Sequence, residues 1–216
     1  MRRSDVSSES RDFPSPVVRR LPRYLNYLER LDVSCKDRVS SRELAEAIGV
    51  TRSTVRMDIS YLPFSSAAND GYVIEEFRAE LEAVLGVGQQ SRVMIVGAGN
   101  LGRALSLHEE FRRRGFEICA IFDSDVKLHG KMVGKLEVLG MGAVGRVVRD
   151  EGVTMAILAV PAKVAQEVVD ELVQAGVSGV LNLACAELLV PDNVAVVESR
   201  TVIDLMELRY AVLLNG

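Results

Sequence analysis

Residues 92–102 read RVMIVGAGNLG, an apolar run (Val93–Val96) followed at once by Gly97, Gly99 and Gly102. A buried strand that breaks into glycines and resumes as a helix is the setting in which a GxGxxG spacing is informative. Gly97 permits the tight turn, Gly99 lets a pyrophosphate approach the backbone, and Gly102 lets the helix pack close to the strand. The helix start adds free amides and the positive end of a dipole. Gly97, Ala98, Gly99, Asn100, Leu101 and Gly102 are therefore the candidate phosphate cradle. The next strand, EICAIFD (117–123), closes on Asp123, 21 positions after Gly102. A carboxylate there can accept hydrogen bonds from a ribose diol and repels a 2′-phosphate, so NAD(H) is favoured over NADP(H). The alternative is a strand–turn–helix whose glycines serve packing only. Asp125 reads as a loop cap.

Downstream, strands and helices alternate. A helix is expected over 100–114, then loop and short strand over 124–142. AVGRVVRDEG (143–152) reads as helix, TMAILAV (154–160) as strand, and PAKVAQEVVDELVQAG (161–176) as a helix with proline at its start. GVLNLA (179–184) and VAVVES (194–199) read as strands, and 201–216 as a terminal amphipathic helix. Such alternation predicts an α/β, doubly wound, mostly parallel sheet. His108 reads as a helix-surface residue rather than a proton donor. Cys119 and Cys185 read as packed. No Ser-His-Asp or Cys-His set is discernible.

Upstream, the pattern is helical. Residues 1–16 read as a flexible tail. In 17–32, Tyr24, Leu25, Leu28 and Leu31 share one face, with Pro22 in a first turn. Ser40 and Ser41 offer N-caps for a helix whose Leu44, Ala45 and Ile48 face inward, and Gly49 ends it. Thr51 caps the next helix, whose inward stripe is Val55, Ile59 and Leu62, and Pro63 stops it. Helix, glycine-containing turn and helix, preceded by a third helix, is the arrangement of a helix-turn-helix DNA reader. Arg52, Ser53 and Arg56 lie near the start of the second helix. Arginine can donate two hydrogen bonds to guanine, serine can hold a phosphate, and the amides at Thr51 and Arg52 add another phosphate site. The candidate DNA-contacting set is Ser41, Thr51, Arg52, Ser53, Arg56 and Tyr61. The alternative is a three-helix packing unit with solvated arginines. The loop over 64–71 and a short strand in GYVIEEF suggest a wing, EEFRAELEAVL a connecting helix, and 86–91 a hinge.

The chain has 216 residues, 26 basic and 30 acidic side chains, and a net charge of −4. That length suits two domains. The domain expectation is tail 1–16, winged helix 17–85, hinge 86–91, nucleotide domain 92–200 and terminal helix 201–216. Residues 1–64 carry 12 basic and 9 acidic groups, net +3, and the remainder 14 and 21, net −7. Only the N-terminal part is expected to meet a polyanion. A hydrophobic share of 48% excludes disorder as the main state. The three cysteines give no disulfide framework or zinc spacing, and two histidines are too few for a histidine-rich metal site. No apolar run reaches membrane length and no signal peptide is evident, so a cytoplasmic protein is expected. The second domain has room for a nucleotide-binding sheet and little else, which argues against an enzyme.

A winged-helix reader joined to a bare dinucleotide-binding domain and a final helix resembles the Rex family of redox-sensing transcriptional repressors. The likeness is carried by RLPRYLNYLERL, RVSSRELAEAIGVTRSTVRMDISYL, VGAGNLGRAL, FDSD, AILAVPAKVAQEVVDELVQAGVSGVLNLA and DLMELRYAVL. It implies a homodimer on a palindromic double-stranded operator, with the terminal helix swapped between subunits. NADH would release DNA and NAD+ permit binding. By position, 97–102 would hold the pyrophosphate, Asp123 the adenosine ribose, and Arg52 and Arg56 would approach DNA. The chain departs from the family at Met57, where a lysine is usual, and in the loop PFSSAANDGY, which keeps only Gly71 of the usual glycines. It also has His108 where a tyrosine is usual and Arg200 where an aspartate is expected. Two alternatives stand beside this reading. One is a Rex-like repressor with a structural nucleotide or an altered ligand response. The other is a small NAD-dependent oxidoreductase or CoA-binding subunit.

Overall fold

A computed structural model describes residues 13–31, 36–63 and 71–214, so residues 1–12 of the expected tail and most of the expected wing loop lie outside the described residues. The chain divides into two compact units, Met1–Gly88 and Gln89–Gly216.

The first unit contains α1 (Ser15–Val18), α2 (Leu21–Leu28), β1 (Arg38–Val39), α3 (Ser41–Ile48), α4 (Arg52–Ser60), β2 (Tyr72–Val73) and α5 (Ile74–Leu85). Helix begins at Ser15, inside the stretch expected to be tail, and the helix expected over 17–32 is two helices. Prolines explain the division. Each of α1 and α2 has one in its first turn, where its fixed φ suits a helix start and its missing N–H breaks the preceding ladder. Val17, Leu21, Tyr24, Leu25 and Leu28 bury against Leu44, Ile48, Val55, Ile59, Phe77 and Leu81. β1 pairs antiparallel with β2, Arg38 opposite Val73. Two residues are too few to show a strand period, so β1 leaves no mark in the sequence pattern. Ser40 caps α3 in a reciprocal capping box with Glu43. Lys36, then the Ser40 amide and hydroxyl, lower the pKa of the Glu43 carboxyl to about 2.

The second unit is built on β3 (Ser91–Val96), β4 (Phe116–Asp123), β5 (Met132–Val133), β6 (Leu136–Gly140), β7 (Met155–Leu158), β8 (Gly179–Asn182) and β9 (Ala195–Glu198). The sheet order is β5-β6-β4-β3-β7-β8-β9, parallel throughout except for β5 against β6. β3 is central. β4 and β6 add on one side of it, and then the chain returns to place β7 on the other. Helices α8 (Val144–Glu151) and α9 (Ala165–Ala175) cover the face of Met94, Val96, Phe122 and Leu158. Leu105 and Phe111, from α6 (Asn100–Ser106) and α7 (Glu109–Arg113), pack on the face of Val93, Ile95, Ile121 and Ile157.

Three expectations need correction here. The helix expected over 100–114 breaks at Leu107. His108 caps α7, its Nδ1 accepting from the Glu110 amide at 3.3 Å, a local hydrogen bond that periodicity cannot reveal. Cys185 is exposed at φ 53 rather than packed. Buried Asn182 makes the turn that presents it, accepting from the Ala184 amide at 3.0 Å and donating to the Ala186 carbonyl at 2.7 Å. The terminal helix α10 (Thr201–Leu214) is apolar around its circumference rather than amphipathic, with only Asp204, Glu207 and Arg209 charged. Cys119 is half-buried in β4, and burial pushes its thiol pKa up. Among the described residues, no helix is long and apolar enough to cross a membrane.

Candidate nucleotide and DNA sites

The glycine loop leaves the C-terminal end of β3 at the point where strand addition reverses. In open α/β sheets that is where a crevice for ligands forms. Here the crevice is a cleft of about 580 Å³ between the loop, Asp123–Ser124, the Ala159–Pro161 turn after β7, and the Val164 and Val168 side of the following helix. Its lining includes no lysine or arginine among the described residues. Glu167 and Glu171 stand on its helix wall, so what favours an anion here is confined to the backbone amides and dipole at the start of α6.

The three glycines differ sharply in their surroundings. A Cβ on Gly97 (φ +106) would lie 2.3 Å from the Ala159 carbonyl oxygen, and one on Gly102 would lie 1.8 Å from the Gly97 carbonyl oxygen. Both positions are closed by the fold itself. A Cβ on Gly99 would meet nothing within 4 Å. Gly99 is the N-cap of α6, in extended conformation and without a side-chain cap. It therefore leaves open space beside the start of α6. Asn100 and Leu101 are exposed in the first turn of α6, and Ala98 is buried.

Asp123, expected from its position to meet a ribose, has a structural task in this loop. Its Oδ2 accepts from the Ala98 amide at 2.7 Å and its Oδ1 from the Asp125 amide at 2.8 Å. It fastens the glycine loop to the end of β4. Each carboxylate oxygen keeps a further lone pair for a hydroxyl donor. Asp125 caps its own loop, accepting from the Lys127 amide at 2.9 Å. His129 fastens the same loop through the Asp123 carbonyl at 2.8 Å. His108 lies on the surface with its ring edge-on to Phe111. Arg200 pairs with Glu198 at 2.5 Å, and its buried Nε has no partner among the described residues.

In the first unit, Thr51 caps α4 by accepting from the Thr54 amide at 3.1 Å. Its hydroxyl also meets those of Ser53 and Thr54, each at 2.8 Å. Thr51, Arg52, Ser53, Arg56 and Met57 are exposed together on the outer face of α4, while Val55, Asp58 and Ile59 are buried. Tyr61, which ends α4, is exposed on one side and packs its ring near Phe13. Ser41 differs from the expectation. It is buried in the first turn of α3, with Ser40 taking the capping role, so it is not presented with the others.

Sequence reasoning misses the anchor of α4. Asp58 is fully buried and accepts from Arg20 at 2.6 and 2.7 Å and from the Tyr24 hydroxyl at 2.8 Å. Burial, then Asp58, push the Tyr24 pKa up, and Asp58 raises that of Arg20. The signal is present in the sequence all the same. A carboxylate on the inward stripe of an amphipathic helix must find a buried donor. Arg23 meanwhile donates to the Ile48 carbonyl at 2.7 Å, at the C-terminus of α3.

Comparison with known proteins bears on both units. Residues 12–60 match the family described as putative DNA-binding protein N-terminus, and residues 88–186 match the CoA binding domain family. The redox-sensing transcriptional repressor Rex of Chloroflexus aggregans is 42% identical over 181 residues, 84% of this chain and 85% of that one. The Rex of Clostridium beijerinckii is 38% identical over 180 residues, 83% and 85% of the two chains. Among solved structures, the Rex-family repressor RSP superposes with a TM-score of 0.85 at 34% identity, covering 93% of this chain and 94% of that one. RSP in complex with NAD+ and operator DNA superposes at 0.83, covering 93% of each chain.

Proposed function

Because the chain belongs to the Rex family of redox-sensing transcriptional repressors, we propose that it is a homodimeric regulator, not an enzyme, and that NADH and NAD+ set its grip on a palindromic operator in the cytoplasm. The observation that carries this reading is one chain holding both an outward-facing helix with Arg52 and Arg56 and an open-glycine cleft at a strand reversal. Gly97–Gly102 hold the pyrophosphate, and Asp123 holds the adenosine ribose while fastening the loop. Thr51, Arg52, Ser53, Arg56 and Tyr61 face DNA.

The response follows from linkage. A nucleotide that binds the DNA-released dimer better than the DNA-bound dimer weakens operator binding by the same coupling energy. Couplings of about 1–3 kcal/mol change operator affinity roughly 5–150-fold. The test is titration of a selected operator at fixed salt with NADH, NAD+, coenzyme A or no ligand. NADH should lower affinity within that range, NAD+ should permit binding, and coenzyme A should do nothing. Equal affinity in all four arms would remove the sensing function.

The homodimer needs an apolar seam, and the second unit carries two apolar surfaces. α10 exposes Val202, Leu205, Met206, Leu208, Val212 and Leu213 on several sides, a pattern suited to burial between other elements. An apolar groove of about 350 Å³ is lined by Phe116, Met155, Leu181 and Val197. A chain ending at Arg200 is expected to sediment as a monomer at concentrations where the full chain is a dimer. It should also lose the paired half-site binding that a palindrome rewards. A truncated chain that stays dimeric would move the seam away from α10.

A further inference from the structure

Beside the turn that leads into α4, the first unit has a second basic feature. A groove of about 490 Å³ is lined by Ser15, Pro16, Arg19, Arg20, Arg23 and Val50. Three of these six residues are arginines, and none is acidic. They are not equivalent. Arg20 is turned inward and spends its charge on Asp58 through two hydrogen bonds. Arg23 spends one nitrogen on the Ile48 carbonyl, a neutral acceptor, and so keeps its net charge. Arg19 is exposed at the junction of α1 and α2. The groove thus has two positive charges, on Arg19 and Arg23, beside a wall that Asp58 and Ile48 hold in place. Val50 immediately precedes Thr51, the cap of the reading helix.

We propose that this groove is a phosphate clamp for the DNA backbone, with Arg19 and Arg23 holding a phosphate on the flank of the strand that α4 reads. The inference rests on the DNA-binding reading above and adds a site with a different task. Arg52 and Arg56 face bases, whereas Arg19 and Arg23 take charge without regard to sequence. Interactions of this kind fix register and contribute a salt-dependent, sequence-independent share of affinity. The Arg23–Ile48 hydrogen bond gives the clamp its position. It ties the guanidinium to the end of α3, so a phosphate bound there sets the angle at which the helix pair meets the duplex.

The experiment uses the full-length dimer without nucleotide. Fluorescence anisotropy is measured on a selected operator and on a scrambled duplex of equal length, at several potassium chloride concentrations. Arg19→Ala and Arg23→Ala should each weaken both duplexes by a similar factor. Each should also flatten the slope of log affinity against log salt by about 1 for every phosphate that a DNA-bound protomer no longer holds. Arg23→Lys, which keeps the charge, should restore most of the slope. Arg56→Ala should instead weaken the operator about 5–150-fold and leave the scrambled duplex nearly unchanged. The Arg19 side chain is exposed and bonds to no described residue, so its variant separates clamping from folding. Unchanged slopes in both alanine variants, or a loss confined to the operator, would overturn the clamp. Absence of binding by the unaltered protein to any duplex would instead sink the repressor reading itself.

Discussion

Gly99→Asp should leave the protein folded and abolish its response to NADH. Stability and ligand binding are expected to move in opposite directions, because the position has two roles that separate cleanly. For the fold, Gly99 is an N-cap in extended conformation, and a Cβ added there would find nothing within 4 Å. Aspartate is among the best N-cap residues, better than glycine by a few tenths of a kcal/mol. The melting temperature should hold or rise slightly. For the ligand, the new carboxylate occupies the space proposed for the pyrophosphate and would bring like charge to it. Two charges 4 Å apart repel by about 4 kcal/mol at an effective dielectric of 20, which is roughly a thousandfold in affinity. The open mouth of the cleft admits water and reduces this, so a loss of at least about a hundredfold is expected. Titration by nicotinamide fluorescence reads the loss directly, and operator affinity should become the same with and without NADH. Retained NADH binding in a folded variant would place the phosphates somewhere other than this loop. The neighbouring glycines provide the contrast. Alanine at Gly97 or Gly102 collides with backbone carbonyl oxygens and should damage the fold before binding can be measured.

Gly99 also shows what a sequence can reveal. The strand–glycine–helix register, the acid at the end of the next strand and the parallel sheet all follow from residue order, since each is a local pattern repeated along the chain. The turn at Gly97 and the close packing at Gly102 follow the spacing, and Gly99 between them is open. What stays hidden depends on the meeting of distant residues or on single hydrogen bonds. Asp123 reads as a ribose ligand by position, but its hold on the Ala98 amide depends on how two strands align. His108 sits at a helix break made by one imidazole–amide hydrogen bond, and no apolar period records it. Ser41 is a fair cap by residue type, yet Ser40 takes the cap and Ser41 turns inward. α10 reads as amphipathic along the sequence, but its apolar residues are spread around the helix, a pattern that suits an assembly better than a single chain.

Asp58→Ala should disable DNA binding while leaving the nucleotide domain intact. Asp58 is the fully buried end of a network that joins α2 to α4, and its removal leaves the Arg20 guanidinium and the Tyr24 hydroxyl without their acceptor. Breaking one partner of a buried ion pair typically costs about 3–5 kcal/mol, mostly from the charge left behind. A small domain is stable by about 5–15 kcal/mol in all, so the first unit should lose much of its stability. The second unit has its own core and is expected to bind NADH as before. Calorimetry should therefore show one transition moving to lower temperature. Nicotinamide fluorescence should be unchanged, and operator binding should be lost or strongly weakened. A triple replacement, Arg20→Met and Tyr24→Phe with Asp58→Leu, removes every polar member of the network and separates charge from position. Apolar substitutes for a buried pair are often neutral or stabilising, so the melting transition should recover. If operator affinity stays low in that refolded variant, the network's task is to set the pitch of α4 against its neighbours. Full recovery of affinity along with stability would assign it to folding alone, and the aim of Arg52 and Arg56 would then come from the apolar stripe of Val55, Ile59 and Leu62.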